Sequence, residues 1–460
     1  AEYVRTKRKP AVLHLSTVRL FGHAGADAEV AYRTKAQIEA ELELDPILSS
    51  TAALLASGEV SREQLVQQLD ALQQQIARVA AVASSKPKLT TAKQVMASIA
   101  PQREKLAAPA IPAEAARQQL FAFDQHNAGK KQHLAKLLNW ALHDVLAQYH
   151  NTVVFGEDVG KKGGVYGVTQ HLVHAFGSNR VINTLLDEQS ILGLAIGLAQ
   201  QGFVAIPEIQ FLAYVHNAED QIRGEAATLP FFSNGQYHNA MVIRIAGLAY
   251  QRGFGGHFHN DNSFAVFRDI PGVILLCPSN GYDAALLLRQ AVFLAHEQKR
   301  LVILLEPIAL YMTKDLNTVG DGLWLCDYPS PNTPLPALGE PAVYGQGEEL
   351  AIISYANGYF LSRQAETELA AQGYQIRVLD LRTLVPLHTD EIVTALGNCR
   401  NILIVDECRR RGSLSEELFT ALHEAKPGHF HINRLCAEDS FIPLGSAAYA
   451  VLPSKQQIIE

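Results

Sequence analysis

From residue 130 onward the chain alternates two patterns of apolar and polar positions. Short, nearly continuous apolar runs bounded by Gly, Pro or Asn predict buried strands: NTVVFGEDVG (151–160), VAIPEIQF (204–211), AMVIRIAG (240–247), GVILLCPSN (272–280) and LVILLEP (301–307). Between them lie stretches with helical period: KKQHLAKLLNWALHDVLAQYH (130–150), read as amphipathic, a run from about Ser190, NAEDQIRGEAATL (217–229) and GYDAALLLRQAVFLAHEQ (281–298). Strands alternating with helices of this length predict an α/β domain, a parallel sheet with helices on both faces. Ligands in such folds gather at the carboxyl ends of the strands, where Glu157, Asp158, Glu208 and the loop 247–263 fall.

A proline-rich, weakly patterned stretch at 312–342 reads as a linker. Beyond it, ELAIISYAN, a helix near 360–372, QIRVLDLRTLVP, a helix near 389–398, NILIVDEC and a helix near 415–425 predict a smaller α/β domain over 343–460. It shows no crowd of titratable groups and suits assembly.

The first 85 residues differ. KPAVLHLSTVRL (9–20) reads as a strand leading into a Gly-rich loop, 21–29, that carries His23. Thr34 with Gln37, and Ser61 with Gln64, are capping-box pairs that predict helix starts, the first helix running to the Asp45-Pro46 break. Leu65, Leu69, Leu72, Ile76 and Val79 then recur at spacings of four and three, a narrow seam suited to one neighbouring element. Residues 86–117 turn to Lys, Pro, Ala, Ser and Thr without clear period. The expected organisation is a mainly helical segment (1–85), a linker (86–117), a larger α/β domain (118–311), a second linker (312–342) and the smaller domain (343–460), as if two separate units had been joined.

Composition narrows the class. The chain has 460 residues, 48% hydrophobic and 18% charged, with a net charge of -7, as in an ordinary globular protein without the basic stripe that nucleic acid requires. No apolar run reaches transmembrane length, so no membrane is expected. The five scattered cysteines lack CxxC spacing and read as reduced thiols of a cytoplasmic or matrix protein. The chain begins with Ala rather than Met and reads as part of a longer polypeptide.

Two stretches are candidates for chemistry. In LLDEQSILGLAIGLAQQG (185–202) the lone carboxylate of Glu188 stands at the mouth of an otherwise apolar helix. It is either an acid favoured by the helix dipole and partly solvated, or one that chemistry requires. In GFGGHFHNDNSF (253–264) His257 and His259 alternate on a Gly-rich loop. Two histidines without a third ligand make a weak metal site. A proton donor or charge stabiliser fits better, and solvated surface histidines remain the bland alternative.

In order and spacing, VVFGEDVGKKGGVYGVTQHL, RVINTLLDEQSILGLAIGLAQQG, PEIQFLAYVHNAEDQI, HFHNDNSFAVFRDIPG and DLRTLVP resemble the beta subunit of the decarboxylating component of 2-oxo acid dehydrogenase complexes. That family is transketolase-like and depends on thiamine diphosphate. STVRLFGHAGADAEVAYRTKAQIEAELELDPI resembles the last part of the alpha subunit of the same component, so the chain resembles part of an alpha-beta fusion. The implied fold is a pyrimidine-binding domain followed by a transketolase C-terminal domain. By resemblance, Glu188 hydrogen-bonds a ring nitrogen of the cofactor's aminopyrimidine, which then removes the thiazolium proton. Tyr214 stacks on that ring, with Leu186 and Gln210 as further neighbours. His259 matches the histidine that orients or protonates the incoming lipoyl group, and His23 the alpha-loop histidine beside the phosphates.

Departures from the family pattern also carry meaning. Ala24 stands where regulated members have a phosphorylated serine, and alanine offers no hydroxyl. Ala295, Gln298 and Arg300 stand where some relatives bind a monovalent cation, so a guanidinium could replace that ion. The GDG at 320–322 lies in the proline-rich linker and reads as a turn. No metal-binding residue is therefore assigned here; magnesium and the diphosphate fall to an alpha-type domain. The implied activity is oxidative decarboxylation of a 2-oxo acid with reductive acylation of lipoamide. The implied partners are that alpha-type domain, a lipoyl transacylase and a second copy in a dimer of alpha-beta units. A transketolase-type or acyloin-forming carboligase and a non-catalytic assembly subunit are the alternatives.

Overall fold

The computed structural model describes residues 1–101, 108–252 and 255–460. Part of the expected first linker (102–107) and Gly253-Phe254 of the Gly-rich loop lie outside the described residues. The chain divides into two compact units, Ala1–Thr90 and Thr91–Glu460.

The first unit carries three capped helices. Thr34 and Gln37 close the expected capping box on α1 (Lys35–Leu42). The Asp45-Pro46 break is also a start: the Asp45 carboxylate accepts the Ile47 N–H at 2.8 Å and Pro46 opens α2 (Pro46–Ser57). Ser61 and Gln64 cap α3 (Arg62–Ser85). The seam residues Leu69, Leu72, Ile76 and Val79 are exposed, and none of the three helices has a buried residue. The expected strand at 9–20 does not form. Among the described residues that segment has no ladder partner, and β-branched and apolar content makes no strand without one.

The second unit holds two sheets. The larger is built from β1 (Thr152–Gly156), β2 (Val181–Asn183), β3 (Val204–Ile209), β4 (Met241–Gly247), β5 (Ile274–Leu276), β6 (Leu301–Pro307) and β10 (Thr383–Val385), in the order β10-β5-β6-β4-β3-β1-β2. All pairings are parallel except β10 on β5. Period-two alternation sorts its side chains. Val154, Val242, Val302 and Leu304 pack with α4 (Leu134–Gln148) and α6 (Gly281–Gln298). Val153, Phe155, Ile243, Ile303 and Leu305 face α5 (Glu188–Gln200) and a core shared with the second sheet. The second sheet has the order β12-β11-β8-β9-β7, with β7 (Ala342–Tyr344), β8 (Leu350–Ser354), β9 (Ile376–Asp380), β11 (Asn401–Arg409) and β12 (His431–Ala437). Only β7 runs antiparallel.

Four expectations need correction. The helix at 130–150 is not amphipathic: α4 is buried on nearly every side, including Asn139, His143 and Asp144, because it lies under α6 as well as against the sheet. Residues 217–229 tighten and loosen instead of forming one regular helix, with a π-helical turn over Gln221–Ala226. The described part of the first linker contains helical turns at Ala92–Met96 and Glu114–Leu120, and Ile99 lies so near Gly272 that a Cβ there would meet it at 2.8 Å. QIRVLDLRTLVP, read as one strand, splits between the two sheets. Arg382 adopts left-handed backbone (φ 56), its guanidinium donates to the Glu340 carbonyl at 2.7 and 3.1 Å and to Asp283 at 3.3 Å, and β10 leaves for the other sheet.

The C-terminal domain, expected to show no crowd of titratable groups, nevertheless buries several. Asp380, Asp406, Glu407 and Cys408 are all buried. Burial, reinforced by the Asp283 charge, holds the Asp380 carboxyl up at about 8 against an ordinary 3.8, and burial holds Glu407 at about 8. An acid with a folded pKa above its unfolded one keeps a proton that the unfolded chain loses. Its contribution to stability is therefore full below the unfolded pKa and falls as pH rises from about 4 to about 8. Asp380→Asn removes this slope. Urea denaturation across that range should show the variant gaining on the parent as pH rises, by on the order of a few kcal/mol at the top; a pH-independent difference would contradict the assignment.

Candidate functional site

The carboxyl edge of the larger sheet collects the charged residues that interrupt its apolar strands. At Gly156, the end of β1, a Cβ would meet the Glu208 carbonyl at 2.7 Å, so glycine permits the close approach of β1 to β3. The next two residues, Glu157 and Asp158, turn out over the edge. Glu188 opens α5 with only 7% of its surface exposed, and its carboxylate accepts one long contact, 3.4 Å from Asn217 Nδ2. The Glu157 carboxyl is pushed up by burial, with the charges of Asp158 and Glu188 adding to it. The Tyr214 phenol is pushed up by burial and then by Glu157 and Glu188. The turn Leu212–Ala218 carries both Tyr214 and Asn217, and through Asn217 it touches Glu188.

Tyr214 is half-buried on a 3-10 turn, Leu212–Ala218, that follows β3. Its hydroxyl lies 3.3 Å from His259 Nε2, and the His259 ring meets Phe211 edge-on at 4.8 Å and 84°. Three of the expected residues, Glu188, Tyr214 and His259, thus belong to one neighbourhood. Gln210 sits just beyond β3 and lines a separate cavity of about 20 Å3, room for a single water, with Tyr166, Arg244 and Tyr311. Leu186 is 65% exposed and touches none of these groups among the contacts described. His257 is exposed and lies tilted against Phe258 and Phe441, with ring centroids 4.0 and 5.6 Å away. His23 belongs to the first unit, on an exposed turn where its backbone N–H donates to Asp27 at 2.7 Å.

Beside Gln210 lies a buried ionic group that the sequence reading named only in part. Arg244 on β4 is 1% exposed and donates to both oxygens of Glu306 on β6, at 2.7 and 2.8 Å, and to Glu208 on β3. The Tyr311 hydroxyl donates to Glu306 as well. Burial is the largest influence on Glu208 and raises its pKa against the pull of Arg244. The signal was present in PEI, IRI and LEP, where three apolar runs each admit one charge near the carboxyl end. Glu157 was likewise visible by position, without a role. The GDG segment is a turn: Asp321 accepts four backbone N–H groups, from Leu316, Asn317, Thr318 and Leu323, at 2.7 to 2.9 Å. Arg300 donates to the Gly272 carbonyl at 3.1 Å. Among the described residues no helix is long and apolar enough to cross a membrane.

Comparison with known proteins follows the same division. Residues 1–92 match the family described as dehydrogenase E1 component, 130–313 the transketolase pyrimidine binding domain, and 339–458 the transketolase C-terminal domain. The chain is 32% identical over 334 residues to the pyruvate dehydrogenase E1 component subunit beta of Staphylococcus epidermidis, spanning 71% of this chain and 96% of that protein. The subunit of the same name from Staphylococcus aureus gives the same identity and coverage. A solved structure described as a split gene transketolase, inactive beta4 tetramer, superposes with a TM-score of 0.56 at 18% identity, over 71% of this chain and 96% of that one. That likeness concerns the fold.

Arg244→Met leaves two buried carboxylates facing one another without their cation. Urea unfolding should show a loss of about 3–5 kcal/mol, partly recovered by adding Glu208→Gln. A loss below about 1 kcal/mol would show that the group is solvated and not a buried ionic core.

Proposed function

The chain belongs to the family of the pyruvate dehydrogenase E1 component subunit beta, and on that premise we propose that it is the beta-type part of a thiamine diphosphate-dependent 2-oxo acid dehydrogenase. The reading has it decarboxylate a 2-oxo acid and reductively acylate lipoamide. Pyruvate is the first substrate to test, because the curated relatives are named for it. The single observation that carries the reading is that one turn, Leu212–Ala218, meets Glu188 through Asn217 and His259 through Tyr214 at the carboxyl edge of the sheet.

The residues present fit the pyrimidine end of the cofactor. Glu188 is a nearly buried carboxylate whose one side-chain partner is a long amide contact, so it has acceptor capacity to spare. Tyr214 offers a half-buried ring beside it. When bound, thiamine diphosphate supplies the carbon nucleophile and the electron sink for decarboxylation. Glu188 holds a proton at the aminopyrimidine ring nitrogen, which fixes the tautomer the chemistry needs. Tyr214 orients the ring. His259, anchored against Tyr214 and Phe211, holds or moves a proton at the acceptor sulfur. Phe211 and Tyr214 keep water from that face.

The phosphates and magnesium belong to an alpha-type region, and the family resemblance assigns His23 of the E1-type segment to that end of the chemistry. The working assembly pairs this chain's beta part with that region, doubles it as a dimer of alpha-beta units, and passes acyl groups to a lipoyl transacylase. The compartment is the cytoplasm.

Glu188→Gln in the complete assembly should cut turnover of the 2-oxo acid by about 10²- to 10⁴-fold with an unchanged denaturation midpoint. Steady-state kinetics with lipoamide as acceptor checks it, and parent-level turnover would sink the reading.

A further inference from the structure

The loop that bears His259 begins with an unusual stretch of backbone. Immediately after β4, Leu248 and Ala249 both adopt left-handed conformation, φ 73 and 53, and both are buried. Side chains other than glycine rarely take this region, and two in succession persist only where neighbouring groups hold them. The Leu248 N–H donates to the Asp261 carbonyl at 2.9 Å, and the Ala249 N–H donates to the side-chain oxygen of Asn262 at 2.7 Å.

Asn262 does more than close this turn. Its side-chain N–H donates to the Glu407 backbone carbonyl on β11, and its backbone carbonyl accepts the Cys408 thiol at 3.1 Å. The Glu407 side chain is itself pinned, accepting from Asn357 N and Nδ2 at 3.1 Å each. One carboxamide, 5% exposed, therefore joins the exit of β4, the histidine loop and the C-terminal domain.

We propose that Asn262 is the positioning residue of the His259 loop, and that through it the C-terminal domain sets where the imidazole stands. The proposal takes from the preceding reading only that His259 is a working group. An amide is the side chain the place requires: it accepts from Ala249 and donates to Glu407 on one planar group. Aspartate keeps the acceptor and loses the donor, whereas alanine loses both. His259 lies three residues before it, on a turn in which the N–H groups of His259 and Asn260 donate to the Gly256 carbonyl at 2.9 and 3.1 Å. The C-terminal domain thus acts on the site as well as on assembly.

The test is hydrogen exchange read at single amides on the full chain, with carbethoxylation of His259 as a side-chain readout; neither depends on catalysis or on the cofactor. Asn262→Ala should speed exchange at Ala249, His259 and Asn260 by about tenfold or more and raise the modification rate of His259 several-fold. Asn262→Asp should leave Ala249 slow while His259 and Asn260 accelerate, and it carries the test alone if the alanine variant does not fold. Asn239→Ala, which removes an equally buried amide between Gln200 and the Ala226 carbonyl, should leave all three amides at parent rates. Parent-like exchange and modification at His259 in Asn262→Asp would overturn the proposal, as would equal acceleration in Asn239→Ala. Intact exchange behaviour in a chain that proves inactive on 2-oxo acids would count against the function and leave this positioning role standing.

Discussion

Everything at the site depends on one constraint: a parallel sheet ends all its strands on one edge, and helix starts face that edge with unpaired N–H groups. Glu188 opens α5 there, nearly out of water, in the company of Glu157 and Tyr214. Its carboxylate has a single long side-chain partner, Asn217 at 3.4 Å, and so keeps acceptor capacity for a ligand. Two strands away the same edge buries Arg244 between Glu208 and Glu306, so the sheet's charged end is rigid beneath the working groups.

Much of this fold can be read from period alone, and the places where reading fails have physical causes. GYDAALLLRQAVFLAHEQ is α6 from end to end, because an Asn280 cap and an apolar stripe agree. The capping boxes at Thr34 and Ser61 hold because they are local. QIRVLDLRTLVP misleads because the change of sheet occurs at Arg382, whose left-handed backbone and partners, Glu340 and Asp283, are remote in sequence. KPAVLHLSTVRL has a strand's composition and no partner among the described residues. The helix α4 carries Asn139, His143 and Asp144, which imply a wet face, yet each is hydrogen-bonded inside the protein, Asp144 to Arg117 at 2.8 Å.

The site is legible to a different depth at each residue. Glu188 stands out as an acid inside an apolar helix and His259 as one of two alternating histidines on a Gly-rich loop, and the resemblance adds Tyr214, Gln210, Leu186 and a role for His23, which no spacing rule would select. The fold gathers Glu188, Tyr214 and His259, leaves Leu186 exposed, and carries His23 on a separate unit. Asn262 was invisible: its partners, Ala249 and Glu407, are 13 and 145 residues away. Such ties need the three-dimensional arrangement, and they make a C-terminal domain that looked inert from its sequence part of the site's support.

The central claim is that Glu188 and Tyr214 receive the pyrimidine end of thiamine diphosphate while an alpha-type region holds the phosphates. A crystal structure of the complete assembly with thiamine diphosphate and magnesium tests it most directly. The account predicts a Glu188 carboxylate oxygen within hydrogen-bond distance of a pyrimidine ring nitrogen and the Tyr214 ring stacked on that pyrimidine. A cofactor bound with its pyrimidine away from Glu188 would contradict it.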